Sequence, residues 1–280
     1  MSISRRNFLK VSGASAAVLG LGLVGCSGGD DDASSASKLE EIRERGKLNC
    51  GVKSDVVGYG FLNTETGEYE GLEIDLCYQI AAAVLDTTYE EAKEQQLCNF
   101  TVVTPKTRGP VIDNGQCDIV CATYTITEER QKDWDFSEPY RTDYVGIMVL
   151  KNSGITQMSD LVGKVIGVSQ GSTTKEAILA MFQEQGIEGE PEFNEYPDYP
   201  SINSALESGN IDAFAMDRST LNTYMNDQKQ LVQPEIEFGA QEYGVATYKD
   251  SDLSQVVDDT VNELLENGWL EQEAEDWNLL

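Results

Sequence analysis

The chain has 280 residues, of which 20 are basic, 49 are acidic and none is histidine, so its formal net charge at pH 7 is −29. A chain this acidic is a poor candidate for binding nucleic acid, because contacts to the phosphate backbone need lysine and arginine. The lack of histidine excludes catalysis or metal binding that depends on an imidazole group. Apolar residues make up 40% of the chain, which favours one or two globular domains over disorder.

The amino terminus is predicted to be an export signal. Arg5 and Arg6 precede an apolar run over residues 11–25. A run of about 15 residues is too short to span a membrane, which needs about 20, but it has the length of a signal-peptide core. The paired arginines resemble a twin-arginine signal, which is an address read by a receptor.

A lipid anchor is predicted where this signal ends. The sequence Leu-Val-Gly-Cys that finishes at Cys26 resembles a bacterial lipobox, which implies cleavage before Cys26 and lipidation of its thiol. The alternatives are a chance cysteine after an ordinary signal, or a short buried helix. Residues 1–25 are therefore assigned to a twin-arginine-type lipoprotein signal and residues 26–37 to a polar, flexible tether. This places the protein on the extracytoplasmic face of a membrane, in the periplasm or at the cell surface.

The remaining cysteines are odd in number, so at least one has no intramolecular disulfide partner. They show no C-x-x-C spacing, so neither a metal nor a redox motif is supported. All of them could be small buried apolar groups, and no disulfide pairing is chosen. They are Cys50, Cys77, Cys98, Cys117 and Cys121.

Strands and helices alternate along the first half of the remaining chain. A helix over residues 71–85 is indicated because Leu72, Leu76, Ile80 and Val84 recur four apart on one face. The other predicted elements here are helices over 38–45 and 108–115, strands over 48–53, 100–103 and 118–122, and a turn or hairpin over 64–69.

The same order of elements restarts in the second half. The predictions are strands over 144–150, 164–168, 211–215 and 243–248, a turn over 171–173 that leads into a helix, and helices over 201–206, 253–265 and 269–277. Such alternation is typical of an α/β fold with largely parallel sheets. The strands over 144–150 and 243–248 flank the second unit, so the chain is expected to form two lobes joined by two crossover strands. Lobe 1 is predicted to contain residues 38–144 and 248–280, and lobe 2 residues 145–247.

Several motifs resemble the polar-amino-acid solute-binding proteins of ABC importers. GLEIDL at 71–76 resembles the family's G-[FL]-[DE]-[VI]-D-[LV] helix start, and TYTITEER at 123–130 with DFSEPY at 135–140 resembles its most recognisable stretch. KTRGP at 106–110 and PDYPS at 197–201 are similar to the aspartate/glutamate-binding branch. The resemblance runs from about residue 39 to the carboxyl terminus and implies the type II periplasmic-binding-protein fold. It also implies a free amino acid as ligand and ABC permease subunits as partners, without a cofactor or metal.

A free amino acid offers a carboxylate and an ammonium group, and a buried site has to satisfy both. Arg130 can hold the carboxylate in a bidentate fork, with Thr125 adding a hydroxyl group and a backbone donor. The alternative for Arg130 is a surface ion pair with Glu128 or Glu129. Thr173 lies at a predicted helix start, where free N–H groups favour an anion, although it could be a plain helix cap.

Asp217 follows a predicted strand and is a candidate acceptor for the ammonium group, while an aspartate before a helix is also a common N-cap. Both roles are compatible, since one carboxylate oxygen can cap while the other binds. The resemblance implies that the backbone carbonyl of Thr123 also accepts from the ammonium group.

The ligand side chain is expected to meet Lys53 and Arg108, whose positions resemble basic contacts of the acidic-amino-acid branch. With Arg130 these residues supply three positive charges against the one negative charge of Asp217, so an anionic side chain would bring the site closer to balance than a neutral one. The alternative is that Lys53 and Arg108 are solvated surface charges. Val57 replaces the proline that many relatives carry, and whether Tyr59 supplies their stacking ring is left open.

The sequence therefore predicts a tethered receptor, and not an enzyme, that binds glutamate or aspartate between two closing lobes. Glutamine or another polar amino acid is the alternative ligand. A dehydratase-like enzyme on the same fold is a second class, but no nucleophile paired with a base is evident. A sensor or adhesin with the same ligand site is a third.

Overall fold

The computed structural model describes residues 37–279. The predicted signal over residues 1–25, the lipidation residue Cys26 and all but the last residue of the predicted tether lie outside the described residues. Within residues 37–279, no helix is both long and apolar enough to cross a membrane.

The first part of the described chain contains four helices and seven strands. They are α1 (Lys38–Arg45), β1 (Leu48–Val52), β2 (Asp55–Val56), β3 (Gly60–Leu62), β4 (Tyr69–Glu70), α2 (Leu72–Leu85), α3 (Tyr89–Glu94), β5 (Cys98–Val102), α4 (Arg108–Asp113), β6 (Ile119–Cys121) and β7 (Trp134–Phe136), with a 3-10 helix over Arg130–Lys132. The short strands β2, β3 and β4 form a small sheet of their own. Strands β3 and β4 are the hairpin predicted around residues 64–69, whereas β2 was not predicted.

The second part begins with the longest strand and ends in two helices. Its elements are β8 (Arg141–Leu150), β9 (Val165–Ser169), α5 (Thr174–Glu184), β10 (Glu192–Tyr196), α6 (Tyr199–Glu207), β11 (Ala213–Asp217), α7 (Arg218–Tyr224), β12 (Lys229–Leu231), β13 (Ala240–Tyr243), β14 (Ala246–Tyr248), α8 (Asp252–Glu266) and α9 (Trp269–Asp276), with a 3-10 helix over Met158–Leu161.

Two larger sheets organise these elements, and we call the part built on each sheet a lobe. The sheet of lobe 1 has the order β5-β1-β6-β14-β7, and that of lobe 2 has the order β10-β9-β11-β8-β12, with β13 paired to β8. Strands β1, β5 and β6 are parallel to one another, as are β9, β10 and β11, while β14 and β8 run antiparallel to their neighbours. The predicted α/β class with two lobes is confirmed.

The return to lobe 1 comes earlier than the expected boundary after residue 247. Ala246 pairs with Val120 of β6, so β14 already belongs to the lobe 1 sheet. The predicted single strand over 243–248 is two strands, β13 and β14, separated by Gly244 and Val245. A Cβ atom at Gly244 would lie 2.8 Å from the end of the Ile126 side chain, so a larger residue there would require that side chain to move.

The core covers both faces of each sheet. On β6, Ile119 and Cys121 face the cluster that contains α2, whereas Val120 faces the cluster that contains the α4 residues. A strand that is buried on both sides has a continuous apolar sequence, as this one does. The four apolar residues that predicted α2 are all fully buried, and most other residues of α2 are buried too.

The cysteines of the described chain are packed in the core and form no disulfide with one another. All five cysteines among the described residues are buried and free. Four of them, Cys50, Cys77, Cys98 and Cys121, belong to the α2 side of the lobe 1 core. They act as small apolar side chains there.

Candidate functional site

Arg130 lies where lobe 1 meets lobe 2. Its Nη1 donates to the Thr125 carbonyl oxygen at 2.6 Å, and its Nη2 donates to the Gly171 carbonyl oxygen at 3.0 Å across the cleft. The alternative ion pair with Glu128 or Glu129 is not formed, because Glu129 binds Lys132 instead. Burial, together with the positive charge of Arg108, lowers the pKa of Arg130 to about 10. Arg130 therefore remains a cation at neutral pH.

Arg108 is buried and is not a solvated surface charge, so that alternative is wrong. Its Nη1 donates to the carbonyl oxygens of Ala122 and Thr123 at 2.9 and 2.7 Å. The ring of Tyr124 lies against both guanidinium groups, with its centroid 4.1 Å from Cζ of Arg108 and 4.7 Å from Cζ of Arg130. An aromatic face attracts cations, so this ring helps to hold two like charges close together.

The hydroxyl groups of Thr125 and Thr173 meet at Gln241. Thr125 Oγ1 and Thr173 Oγ1 donate to Oε1 of Gln241 at 2.7 and 2.6 Å. Thr125 belongs to lobe 1 and Thr173 to lobe 2, while Gln241 lies on β13. The side chain of Thr173 makes no hydrogen bond to its own helix α5, so the plain-cap alternative is not observed. The two threonines proposed to bind the ligand carboxylate are thus side by side.

Asp217 is the last residue of β11 and is 2% exposed. Its side chain does not cap helix α7, so the predicted capping role is wrong. Oδ2 instead accepts a 2.6 Å hydrogen bond from the Tyr243 hydroxyl group. Burial and the charge of Asp143 raise the pKa of Asp217 to about 7, and the charges of Arg108 and Arg130 partly oppose this rise. Asp217 is the carboxylate of lobe 2 that faces the cationic side of lobe 1.

Glu73 is a second buried carboxyl group, to which the sequence pattern assigned no role. It is fully buried, and its Oε1 accepts from the Thr123 amide at 2.5 Å and from the Tyr140 hydroxyl group. Its Oε2 is buried without a hydrogen-bond partner among the described residues. Burial raises the pKa of Glu73 to about 7, against the hydrogen bonds and the charges of Lys53 and Arg108.

Gly71 fixes the position of Glu73. A Cβ atom at Gly71 would lie 2.3 Å from the Tyr59 carbonyl oxygen, so α2 can begin this close to Tyr59 only with glycine. The Glu73 amide then donates to that carbonyl oxygen at 3.0 Å.

Thr123 has the backbone geometry of a constrained residue, with φ at 45°. Its carbonyl oxygen, expected to accept from the ligand ammonium, already accepts from Arg108. A carbonyl oxygen has two lone pairs, so a second donor can be accommodated. Thr123 Oγ1 and Arg108 Nε are buried without partners in the described part of the chain, which is uncommon for buried polar atoms.

Lys53 is also buried, which excludes the surface alternative. Its Nζ is 3.3 Å from Oδ1 of Asp55 and 4.3 Å from the ring centroid of Tyr199 in lobe 2. Burial lowers the pKa of Lys53, and Asp55 works in the opposite direction. Lys53 therefore already has an anion and an aromatic face as partners.

The ring of Tyr59 lies behind the site. It is fully buried and packs edge-on against Tyr243, with ring centroids 5.8 Å apart.

Val57, which stands in place of a proline, is 49% exposed. It lines a separate cleft of about 670 Å³ with Arg141 and Arg218, and that cleft contains none of the predicted ligand residues. A cavity of about 290 Å³ does open onto Arg130.

All seven predicted ligand residues lie in or beside the contact region of the two lobes. Sequence reasoning missed four residues of this region, Glu73, Tyr199, Gln241 and Tyr243. Glu73 and Tyr199 stand inside quoted motifs, so a charged or polar residue within a buried segment was a usable signal. Gln241 and Tyr243 alternate with exposed residues along β13, which is the period of a half-buried strand.

A two-lobed α/β protein with a guanidinium group in one lobe and a buried carboxylate in the other has the architecture of a solute-binding protein. Residues 48–279 match the family model described as bacterial extracellular solute-binding proteins, family 3. The chain belongs to this family, and the expected type II periplasmic-binding-protein fold is confirmed. Residues 2–22 match the model of the twin-arginine translocation pathway signal.

Similar proteins include binding proteins for several amino acids. The ABC transporter glutamine-binding protein GlnH of Bacillus subtilis (strain 168) is 33% identical over 267 residues, which is 93% of each chain. The glutamine-binding protein of Geobacillus stearothermophilus is 34% identical over 224 residues, covering 79% of this chain and 80% of that protein. The solved structure of an ancestral arginine-binding protein bound to arginine is 28% identical, with a TM-score of 0.69, and the match covers 83% of this chain and 98% of that one.

Proposed function

We propose that this chain is the extracytoplasmic substrate-binding protein of an ABC importer, and that its ligand is glutamine in preference to glutamate or aspartate. The proposal is based mainly on one observation, which is that lobe 1 contributes the cation of Arg130 and lobe 2 contributes the carboxylate of Asp217. Arg130 and the two threonine hydroxyl groups are donors for an α-carboxylate, and Asp217 is an acceptor for an α-ammonium group. An amino acid zwitterion carries the groups that match both sides.

The preference for a neutral side chain follows from Glu73. The expectation of an acidic ligand counted Lys53, Arg108 and Arg130 against Asp217 alone. Glu73 interacts with both Lys53 and Arg108, and Asp55 forms an ion pair with Lys53. Three cations therefore face three carboxyl groups, and an additional carboxylate on the ligand has no unbalanced cation to pair with. The similarity to two glutamine-binding proteins supports the same choice.

Calorimetry with the purified protein tests the ligand directly. Glutamine, glutamate, aspartate and arginine are titrated at pH 7.5 under one buffer condition. We expect glutamine to bind at least tenfold more tightly than glutamate, which is about 1.4 kcal/mol. Tighter binding of glutamate would restore the acidic-ligand assignment, and no binding of any amino acid would remove the proposed function.

Glutamate or aspartate is the second candidate, because Arg108 Nε is a buried donor without a partner among residues 37–279. An anionic side chain could accept from it. In that case Arg108→Ala should weaken glutamate far more than glutamine. Since Arg108 also holds the Thr123 carbonyl oxygen, equal weakening of both ligands would indicate a positioning role instead.

The location and partners form a further part of the proposal. We propose lipidation at Cys26 and delivery of the ligand to ABC permease subunits. Membrane fractionation of the full chain and of Cys26→Ser tests the anchor, with release of the variant as the expected result. Ligand-dependent stimulation of the cognate transporter ATPase separates an importer from a sensor or adhesin. Chemical turnover of the bound amino acid would favour the dehydratase-like alternative.

A further inference from the structure

Gln241 connects the two lobes through a single atom. Its Oε1 accepts from Thr125 of lobe 1 and from Thr173 of lobe 2, and its Nε2 donates to the Gly239 carbonyl oxygen at 2.8 Å. Because the Gly239 carbonyl oxygen can only accept, the atom of the Gln241 amide that faces it is the nitrogen, and the atom that faces the two threonines is the oxygen. The side chain is 3% exposed, so these bonds are protected from water.

The two hydroxyl groups have a limited capacity to donate. A threonine hydroxyl group carries one proton, and a ligand carboxylate is an acceptor without a proton of its own. When the protons of Thr125 and Thr173 point to Gln241, neither is available to the ligand. Gln241 and a bound α-carboxylate therefore compete for the same two donors.

We propose that Gln241 is a lobe-bridging residue that stabilises the closed arrangement by itself and competes with the ligand α-carboxylate for the two threonine hydroxyl groups. The proposal rests on the proposed function, since it takes Thr125 and Thr173 as carboxylate contacts. A crossover strand is a suitable place for such a residue. The backbone of β13 is paired with β8 and is also bonded to residues 124–126, where the Ile126 amide donates to the Glu242 carbonyl oxygen at 2.8 Å. Gln241 therefore stays beside Thr125, and its bond to Thr173 is the one that needs the lobes to be close together.

The bridge has a kinetic consequence. A ligand that ends up enclosed between two lobes enters while they are apart, so any contact that favours closure without ligand lowers the fraction of protein able to accept it. Removing the bridge should raise the open fraction and the association rate constant. The buried hydrogen bond from Thr173 to Gln241 shifts such an equilibrium by up to about tenfold.

The test is the interlobe distance measured without amino acid. Labels are attached at one exposed position in each lobe, Glu90→Cys and Glu188→Cys, and distances are measured by pulsed electron paramagnetic resonance. Gln241→Met retains the length of the side chain but not its acceptor. We expect a shift toward longer distances and up to about tenfold faster ligand association. Gln230→Met, on strand β12 of lobe 2, is the matched control and should leave both unchanged.

Two further variants test the bridge between the lobes and the competition with the ligand separately. Thr173→Val removes the donor of the bond that depends on lobe closure, with little change of shape, and should lengthen the distance as much as Gln241→Met. Gln241→Glu places a negative charge beside the proposed carboxylate position and should lower ligand affinity by at least about a hundredfold. An unchanged distance distribution in both Gln241→Met and Thr173→Val would overturn the bridge. Wild-type affinity of Gln241→Glu would instead remove the ligand carboxylate from this position, and with it the competition.

Discussion

The hydroxyl group of Tyr243 donates a 2.6 Å hydrogen bond to Oδ2 of Asp217, which joins a residue of the crossover strand β13 to the carboxylate proposed to bind the ligand ammonium. This bond favours the ionised form of a carboxyl group whose pKa burial raises to about 7. Ligand affinity is therefore expected to fall as the pH drops through 7, because a protonated Asp217 cannot balance the ammonium charge.

Tyr243→Phe should weaken ligand binding by about tenfold at pH 7 and by much less at pH 8.5. Loss of the hydrogen bond raises the pKa of Asp217 further, so a higher pH is needed to ionise it. Calorimetry from pH 6 to 8.5 measures the effect. Tyr144→Phe is the control, since the Tyr144 hydroxyl group has no hydrogen-bond partner within residues 37–279. A loss of affinity that does not vary with pH would point to damaged packing instead.

Arg130→Lys should reduce ligand affinity by about a hundredfold although it retains the positive charge. The guanidinium group offers paired donors in a rigid plane and lies on the Tyr124 ring, whereas an ammonium group is a point charge. Titration calorimetry at pH 7.5 measures the change. Lys132→Gln, which removes an exposed charge two residues away, should bind as the wild type does. Equal affinity of Arg130→Lys and the wild type would show that no bidentate contact to the carboxylate exists.

Glu73→Gln should shift selectivity toward glutamate. The neutral amide leaves Lys53 and Arg108 with less opposing charge, so the ratio of glutamate to glutamine affinity should rise about tenfold at pH 8. In the wild type, the same ratio should rise as the pH is lowered from 8 to 6, because Glu73 becomes protonated. Asp217 meets the ammonium group of both ligands, so it cancels from the ratio. A ratio that varies with pH equally in both proteins would exclude Glu73 as the cause.

The same residue should govern part of the pH dependence of stability. The pKa of Glu73 is raised from 4.5 to about 7 by burial, so the folded protein binds this proton more tightly than the unfolded chain. Its contribution is therefore present below about pH 4.5 and is lost as the pH rises through 7, by on the order of 3 kcal/mol. Urea unfolding at pH 5 and pH 8 should show a smaller loss for Glu73→Gln than for the wild type. Glu68→Gln, at an exposed position, should follow the wild type.

The buried cysteines should react only after unfolding. Burial raises the pKa of each of the five thiols in the described part, and a protonated thiol inside a core is a poor nucleophile. In the Cys26→Ser protein, a disulfide reagent should titrate almost no thiol under native conditions and five in guanidinium chloride. Fewer than five after unfolding, restored by a reductant, would indicate a disulfide.

The sequence predicted the parts of the molecule that have local patterns. Helix α2 follows from a spacing of four, and Arg130 and Asp217 follow from motifs or from their place after a strand. Strand β11 begins and ends two residues later than expected, because its apolar run continues through Met216 to Asp217. The alternation along β13 could have indicated that Gln241 is buried, but not which residues it contacts, since its partners Thr125 and Thr173 are distant in sequence. The effect of Glu73 on the charge of the site was not predicted, because only residues that were expected to touch the ligand were counted.

The position of β14 has a consequence for the order of folding. Lobe 2 is continuous from β8 to β13, so its sheet can assemble from one stretch of chain. Lobe 1 cannot be completed until β14 arrives between β6 and β7 and α8 packs against α2. Until then β6 and β7 have unpaired edges, which is a state prone to aggregation. Insertion of this late strand is expected to be the slow step of folding, because it closes a long loop that contains the whole of lobe 2.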